Sequence, residues 1–149
     1  MTDKSNKVSE VRLVYKNRIK ASDRIQINNP QDAFEVFWEA WDKEVIGHIE
    51  EMKMLLLDRS NKVLGIVSLS RGGTTGTVID IKLIMQYALK ANAHGIILAH
   101  NHPSGNLNPS EADNKITDRI EKACKTLEIH LLDHLIISPG KEYQSMHDQ

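Results

Sequence analysis

One cysteine in 149 residues excludes several chemistries at once. Cys124 alone cannot form an intrachain disulfide, a cysteine-rich zinc finger or an iron–sulfur cluster. It also cannot supply the P-C-x-x-C half of the nucleobase-deaminase zinc signature. An excess of one charge is missing too: 19 Lys and Arg stand against 20 Asp and Glu, a formal net charge of −1. A protein built to neutralise many phosphates is clearly basic, so DNA as a partner is not supported by charge, although a local basic face is allowed. Long apolar runs are absent as well. The longest, residues 95–99 and 131–138, fall far short of the roughly 20 residues of a membrane span. The opening MTDKSNKVSE has no apolar stretch of the kind a signal peptide needs. These absences lead to the expectation of a reduced, cytoplasmic chain with no membrane partner.

What is present suits one domain. Apolar residues make up 40% and charged residues 26%, enough to bury a core and stay dissolved, and unlike a disordered or coiled-coil chain. A flexible N-terminus is expected over residues 1–10 and a single domain over 11–149. Residues 11–16 (VRLVYK) alternate as a strand, with Val11, Leu13 and Tyr15 on one side. Asn29 and Pro30 open a helix, Asn as its cap and Pro in its first position. Ala33, Phe34, Phe37, Trp38 and Trp41 follow at helical spacing. That stripe carries four of the seven aromatics, so it reads as core rather than as a platform for stacking bases.

Residues 50–57 (EEMKMLLL) read as a strand, and residues 58–61 (DRSN) as the hairpin turn into a second strand over 62–69. The Gly-rich stretch 71–77 (RGGTTGT) lacks the G-K-S/T ending of a phosphate-cradling loop and reads as a turn near the active face. Asp80 caps a helix whose Ile81, Ile84, Met85, Ala88 and Leu89 form an apolar stripe. Residues 96–99 (IILA) are apolar on both faces, as in a central strand covered on each side. A second amphipathic helix from Ser110 turns Ile116, Ile120, Ala123, Cys124 and Leu127 inward, and residues 129–137 supply a closing strand. Strands alternating with helices give an α/β class, here an α+β layered domain with a mixed sheet flanked by helices.

The chemistry concentrates in residues 99–113, AHNHPSGNLNPSEAD. His100 and His102 are two apart at the end of a buried strand, so both imidazoles can point to one side. Pro103 stops strand pairing, and Ser104, Gly105 and Asn106 turn the chain. Ser110 and Asp113 match a capping box. Asp113 also lies three residues before Ile116 and seven before Ile120, which extends the inward face of the helix. A carboxylate there needs a partner or a metal, because desolvating it alone is costly. Two readings stay open: a structural histidine pair beside a capped helix, or three metal ligands with an open fourth position, the pattern of a catalytic zinc site.

The spacing H-x-H, seven residues, S-x-x-D resembles the JAMM (MPN-plus) metalloprotease motif. The wording HNHPSG…PSEAD, followed by LDHLI, is similar to the RadC family of bacterial JAMM-domain proteins over nearly the whole chain. The resemblance implies a JAMM/MPN-like fold of cytidine-deaminase-like architecture. It implies zinc held by His100, His102 and Asp113, with Ser110 placed to stabilise an oxyanion. It further implies a general-base glutamate on an earlier strand. Glu50 and Glu51 compete for that role. Alternation puts Glu50 with Met52, Met54 and Leu56, and Glu51 with Lys53 as an expected surface pair, so Glu50 is selected, as in the family's register.

The expected activity is zinc-dependent hydrolysis of a peptide or isopeptide bond in a peptide or protein substrate. The alternative is a role in DNA repair or mobile-element biology, as the family label suggests. The helix-hairpin-helix region common in RadC proteins is not seen ahead of the domain, and a homodimer is allowed. His134 reads either as a partner of a metal ligand or as a hydrogen-bonded structural histidine, and Asp133 as an acceptor behind the site. His48, His94, His130 and His147 read as surface or turn residues, and Cys124 as a buried small hydrophobe.

Overall fold

The computed structural model describes residues 7–12, 14–72 and 79–147. Its helices and strands follow the sequence periodicities closely. Asn29 caps α1 (Pro30–Ala40) by accepting the Asp32 N–H at 2.9 Å, and Pro30 fills the first turn, where no N–H is needed. Hairpin β1 (Glu51–Leu57) and β2 (Val63–Arg71) comes next. Helix α2 (Ile81–Lys90) is capped by Asp80, whose side chain accepts the Leu83 N–H. Strand β3 (Gly95–Asn101), helix α3 (Glu111–Thr126) and strands β4 (His130–Ser138) and β5 (Glu142–Ser145) complete the order.

The five strands form one sheet in the order β2-β1-β3-β4-β5. All neighbours are antiparallel except β3 and β4, which run parallel with α3 as their crossover. The sheet is therefore mixed and the class α+β. Side-chain alternation splits the core into two layers. Ile97 and Ala99 join Leu55, Leu57, Leu135 and Ile137 against Phe34, Phe37 and Trp41 of the α1 segment. Ile96 and Leu98 join Met52, Met54 and Leu56 against Ile84, Met85, Ala88, Ile120 and Cys124 of α2 and α3. Strand β3 is buried at every position, as a central strand covered on both faces should be. The same alternation puts His100 on the α2–α3 face.

Several local expectations are corrected. Residues 11–16 form no strand among the described positions, and Val11 and Val14 face solvent. Leu13 lies outside the described residues, as do residues 1–6 of the expected flexible N-terminus. A strand needs a neighbour's backbone, whereas here Tyr15 meets the sheet through its side chain, donating its hydroxyl to the Leu64 carbonyl at 2.7 Å. Residues 25–27 flank the hairpin instead, through the bridge of Gln26 to Lys62 and the Ile27 N–H on the Asn61 carbonyl. Strand β1 begins at Glu51, leaving Glu50 just ahead of it. Glu51 and Lys53 are not a surface pair but buried: Lys53 Nζ donates to Ser68 Oγ at 2.9 Å and lies over the Trp41 ring. Leu89 and Leu127 are exposed rather than inward. Both sit at the C-terminal ends of their helices, where the apolar stripe outlasts the sheet it packs on. Of the Gly-rich stretch 71–77, residues 73–77 lie outside the described positions. No helix among the described residues is long and apolar enough to cross a membrane.

Candidate metal centre

Three elements end at one point on the α2–α3 face. Strand β3 delivers His100, the chain just beyond it delivers His102, and the first turn of α3 delivers Asp113. His102 stays alongside β4 because its N–H donates to the Ile137 carbonyl at 3.0 Å. The turn after it closes at Gly105, whose φ of 86° lies in the left-handed region that glycine adopts without strain. That turn brings the Asn106 carbonyl to 2.6 Å from His102 Nδ1. A carbonyl only accepts, so His102 carries its proton on Nδ1 and leaves Nε2 with a bare lone pair.

The capping box and the candidate ligand set prove to be one arrangement. Ser110 Oγ accepts the Asp113 N–H at 3.0 Å, and Asp113 Oδ2 accepts the Ser110 N–H at 2.8 Å. The cap thus fixes Asp113 with Oδ2 3.3 Å from His100 Nε2 and 3.1 Å from His102 Nε2. The two Nε2 atoms are 2.9 Å apart. A tetrahedral zinc site with bonds of about 2.0–2.1 Å has ligand–ligand edges of about 3.3–3.4 Å. Three electron-pair donors at close to that spacing, two imidazole and one carboxylate, fit a zinc-like cation. Glu50 completes the group: one ligand atom from each of Glu50, His100, His102 and Asp113 lies within 4.8 Å of the others. Its Oε1 is 4.0 Å from His100 Nε2, farther out than the triad.

The electrostatics match this crowding. Burial pushes the Asp113 carboxyl up, but His100, His102 and the Ser110 N–H beside it outweigh burial and hold it well below the usual carboxylate range. His102 is raised, chiefly because its protonated form can donate from Nε2 to Asp113, against the opposing effect of burial. His134 is driven well below the usual histidine range, first by burial and then by the neighbouring His100 imidazole.

The structure also shows where the other candidates lie. Glu50, not Glu51, reaches the group. The Glu51 N–H instead donates to Asn101 Oδ1 at 2.7 Å. His134 is buried, with Nε2 2.7 Å from His100 Nδ1 and Nδ1 2.7 Å from Thr117 Oγ1. Asp133 turns away from the centre, accepting the His134 and His147 N–H groups and the Ser145 hydroxyl. Ser110 is exposed at the rim. Two residues escaped the sequence reading. Asn101, between the two histidines, donates to the Ile46 and Ile49 carbonyls at 2.8 Å each and so pins the backbone on either side of Glu50. Thr117 lies one helical turn after Asp113, and that spacing was the only signal it gave.

Fold and site together define a class: a mixed-sheet α+β domain with a histidine–carboxylate centre at the C-terminal end of its central strand. The chain belongs to the RadC-like JAB domain family, whose model matches residues 27–149. It is 43% identical over 120 residues to a UPF0758 protein of Flavobacterium johnsoniae, covering 79% of this chain and 50% of that one. A UPF0758 protein of Porphyromonas gingivalis is 48% identical over 100 residues, covering 67% and 44%. One from Aquifex aeolicus is 41% identical over 120 residues, covering 80% and 50%. The chain spans about half the length of the curated relatives it matches.

Proposed function

We propose that this domain is a zinc-dependent hydrolase that cleaves an amide bond in a peptide or protein. The observation that carries the reading is the triad of His100 Nε2, His102 Nε2 and Asp113 Oδ2, mutually 2.9–3.3 Å apart, with Glu50 Oε1 4.0 Å from His100 Nε2. His100, His102 and Asp113 would hold the ion. Zinc at such a site supplies a Lewis acid that polarises a carbonyl and brings the pKa of water down to about 7.

The chain's own groups supply the rest. Glu50 stands outside the triad and is only partly exposed, with 27% of its side chain accessible. From there its carboxylate can take a proton from the attacking water and return it to the leaving amine. Ser110 spends its oxygen on the cap and keeps its O–H to donate. At the rim of the centre that donor can meet the oxygen on which charge develops. Membership of the JAB domain family, together with this donor set, supports zinc over a purely structural polar cluster.

The test is a peptide-library cleavage screen with the zinc-loaded chain, using Glu50→Gln as the blank. Cleavage by the parent and none by the blank is the expected result. Equal cleavage by both would remove Glu50 from the reaction.

A further inference from the structure

We infer that Thr117 and His134 set the tautomer of His100, and thereby decide whether its Nε2 can hold a metal. The inference rests on the metal-site reading above and adds two positioning residues that touch no metal. Its starting point is one carbonyl. Thr117 Oγ1 lies 2.7 Å from the Asp113 carbonyl oxygen, which can only accept, so the single hydroxyl proton of Thr117 points there. The Thr117 oxygen has only lone pairs left, and it lies 2.7 Å from His134 Nδ1. His134 Nδ1 must therefore carry a proton and donate it.

His134 is 1% exposed, and a charged imidazole so deep would bear a large desolvation cost. It is neutral, with one ring proton, so its Nε2 is bare. That bare nitrogen lies 2.7 Å from His100 Nδ1, which must then hold the proton of His100. The Nε2 of His100 is left with its lone pair, facing His102 Nε2 and Asp113 Oδ2. The order of protons is fixed along the whole line. Thr117 sits one turn after Asp113 in α3, so the line begins on the backbone of one ligand and ends on the ring of another.

Without the Thr117 hydroxyl nothing at His134 Nδ1 favours a proton. His134 can then carry it on Nε2, which strips His100 Nδ1 and puts an N–H where the metal should bind. The expectation is unusual for a side chain with no metal contact: a hydroxyl two hydrogen bonds away controls affinity.

The test is zinc affinity of the full chain at neutral pH, by competition with a chromophoric chelator, with circular dichroism to verify folding. Thr117→Val, nearly the same shape without the hydroxyl, is expected to bind zinc about 10–100-fold more weakly. Thr117→Ser keeps the hydroxyl and is expected to bind like the parent. Should Thr117→Val fail to fold, His134→Gln and His134→Leu decide: Gln can accept from His100 and donate to Thr117, so it should bind more tightly than Leu. A folded Thr117→Val with parental affinity overturns the relay. So does a Thr117→Ser as weak as Thr117→Val, or equal affinities for the two His134 variants. A parent chain that binds no zinc overturns the metal reading itself, and the relay with it.

Discussion

His100 and Asn101 are neighbours on β3, both fully buried and pointing to opposite faces of the sheet, yet their polar atoms are satisfied in opposite ways. The carboxamide of Asn101 meets only backbone: it accepts from the Glu51 N–H and donates to the Ile46 and Ile49 carbonyls. Nothing in that arrangement calls for a ligand. The ring of His100 is satisfied at Nδ1 by His134, but its Nε2 faces another imidazole nitrogen and a carboxylate oxygen. Three lone pairs turned on one point repel unless a cation or a proton lies among them. A buried polar group completed by backbone builds structure; a buried imidazole nitrogen turned on a second imidazole and a carboxylate, as at His100, is an arrangement that a cation could complete.

The sharpest way to break this contrast is to remove a ligand. His100→Ala, His102→Ala or Asp113→Ala each takes away one of the three closest donors among the described residues, and each is expected to abolish zinc binding. Metal content by mass spectrometry on the purified variants checks this, and full occupancy in any one would remove that residue from the ligand set. Next in size, Glu50→Gln should keep the metal and lower kcat by about 10²–10⁴, the range typical of general-base loss. Glu51→Gln should keep both, because the structure turns Glu50 and not Glu51 to the centre.

Asn101→Ala tests the other side of the comparison. It orphans the Glu51 N–H and the Ile46 and Ile49 carbonyls, and should cost about 2–4 kcal/mol of folding stability by denaturant titration. Zinc affinity should change little. A large loss of zinc with unchanged stability would reverse the roles assigned to the two neighbours. The smallest effect is expected at Cys124, buried in the α2–α3 layer with its thiol pushed up to about 11, chiefly by desolvation. Thiol reagents at neutral pH should leave it unmodified in the folded chain.

Much of this was legible in the sequence because it rests on local periodicity. The aromatic stripe of α1, the caps at Asn29, Asp80 and Ser110, and the doubly covered β3 all follow from spacing and cap chemistry. His100, His102 and Asp113 could be picked out because a strand end and a helix start fall close together in the chain. Non-local geometry was not legible. Residues 11–16 alternate well, but alternation does not provide a neighbouring strand. Lys53 reads as a surface residue until α1 is laid across its face. His134 and Thr117 come together only when β4 is set parallel to β3 with α3 above them, so His134 could be read two ways and Thr117 not at all. The capping box also showed that two readings of Ser110 and Asp113 need not compete, since the same hydrogen bonds hold the helix and aim the carboxylate.

The central claim is that a preformed fold holds a metal it does not need for its own stability. Two core layers stand on either side of the sheet, and neither depends on the ligand side chains. Zinc should therefore be removable while the secondary structure survives. Acid should remove it too. Asp113 stays ionised, whereas His102 beside it takes up a proton more readily than free histidine. Affinity should therefore begin to fall above the free-histidine value of about 6.5 and go on falling as pH drops through it. The decisive measurement is zinc stoichiometry and far-ultraviolet circular dichroism followed together during chelation at neutral pH. One zinc per chain, lost to the chelator with an unchanged spectrum, is the expected result; a spectrum that collapses with the metal, or a chain that never held zinc, would contradict the account.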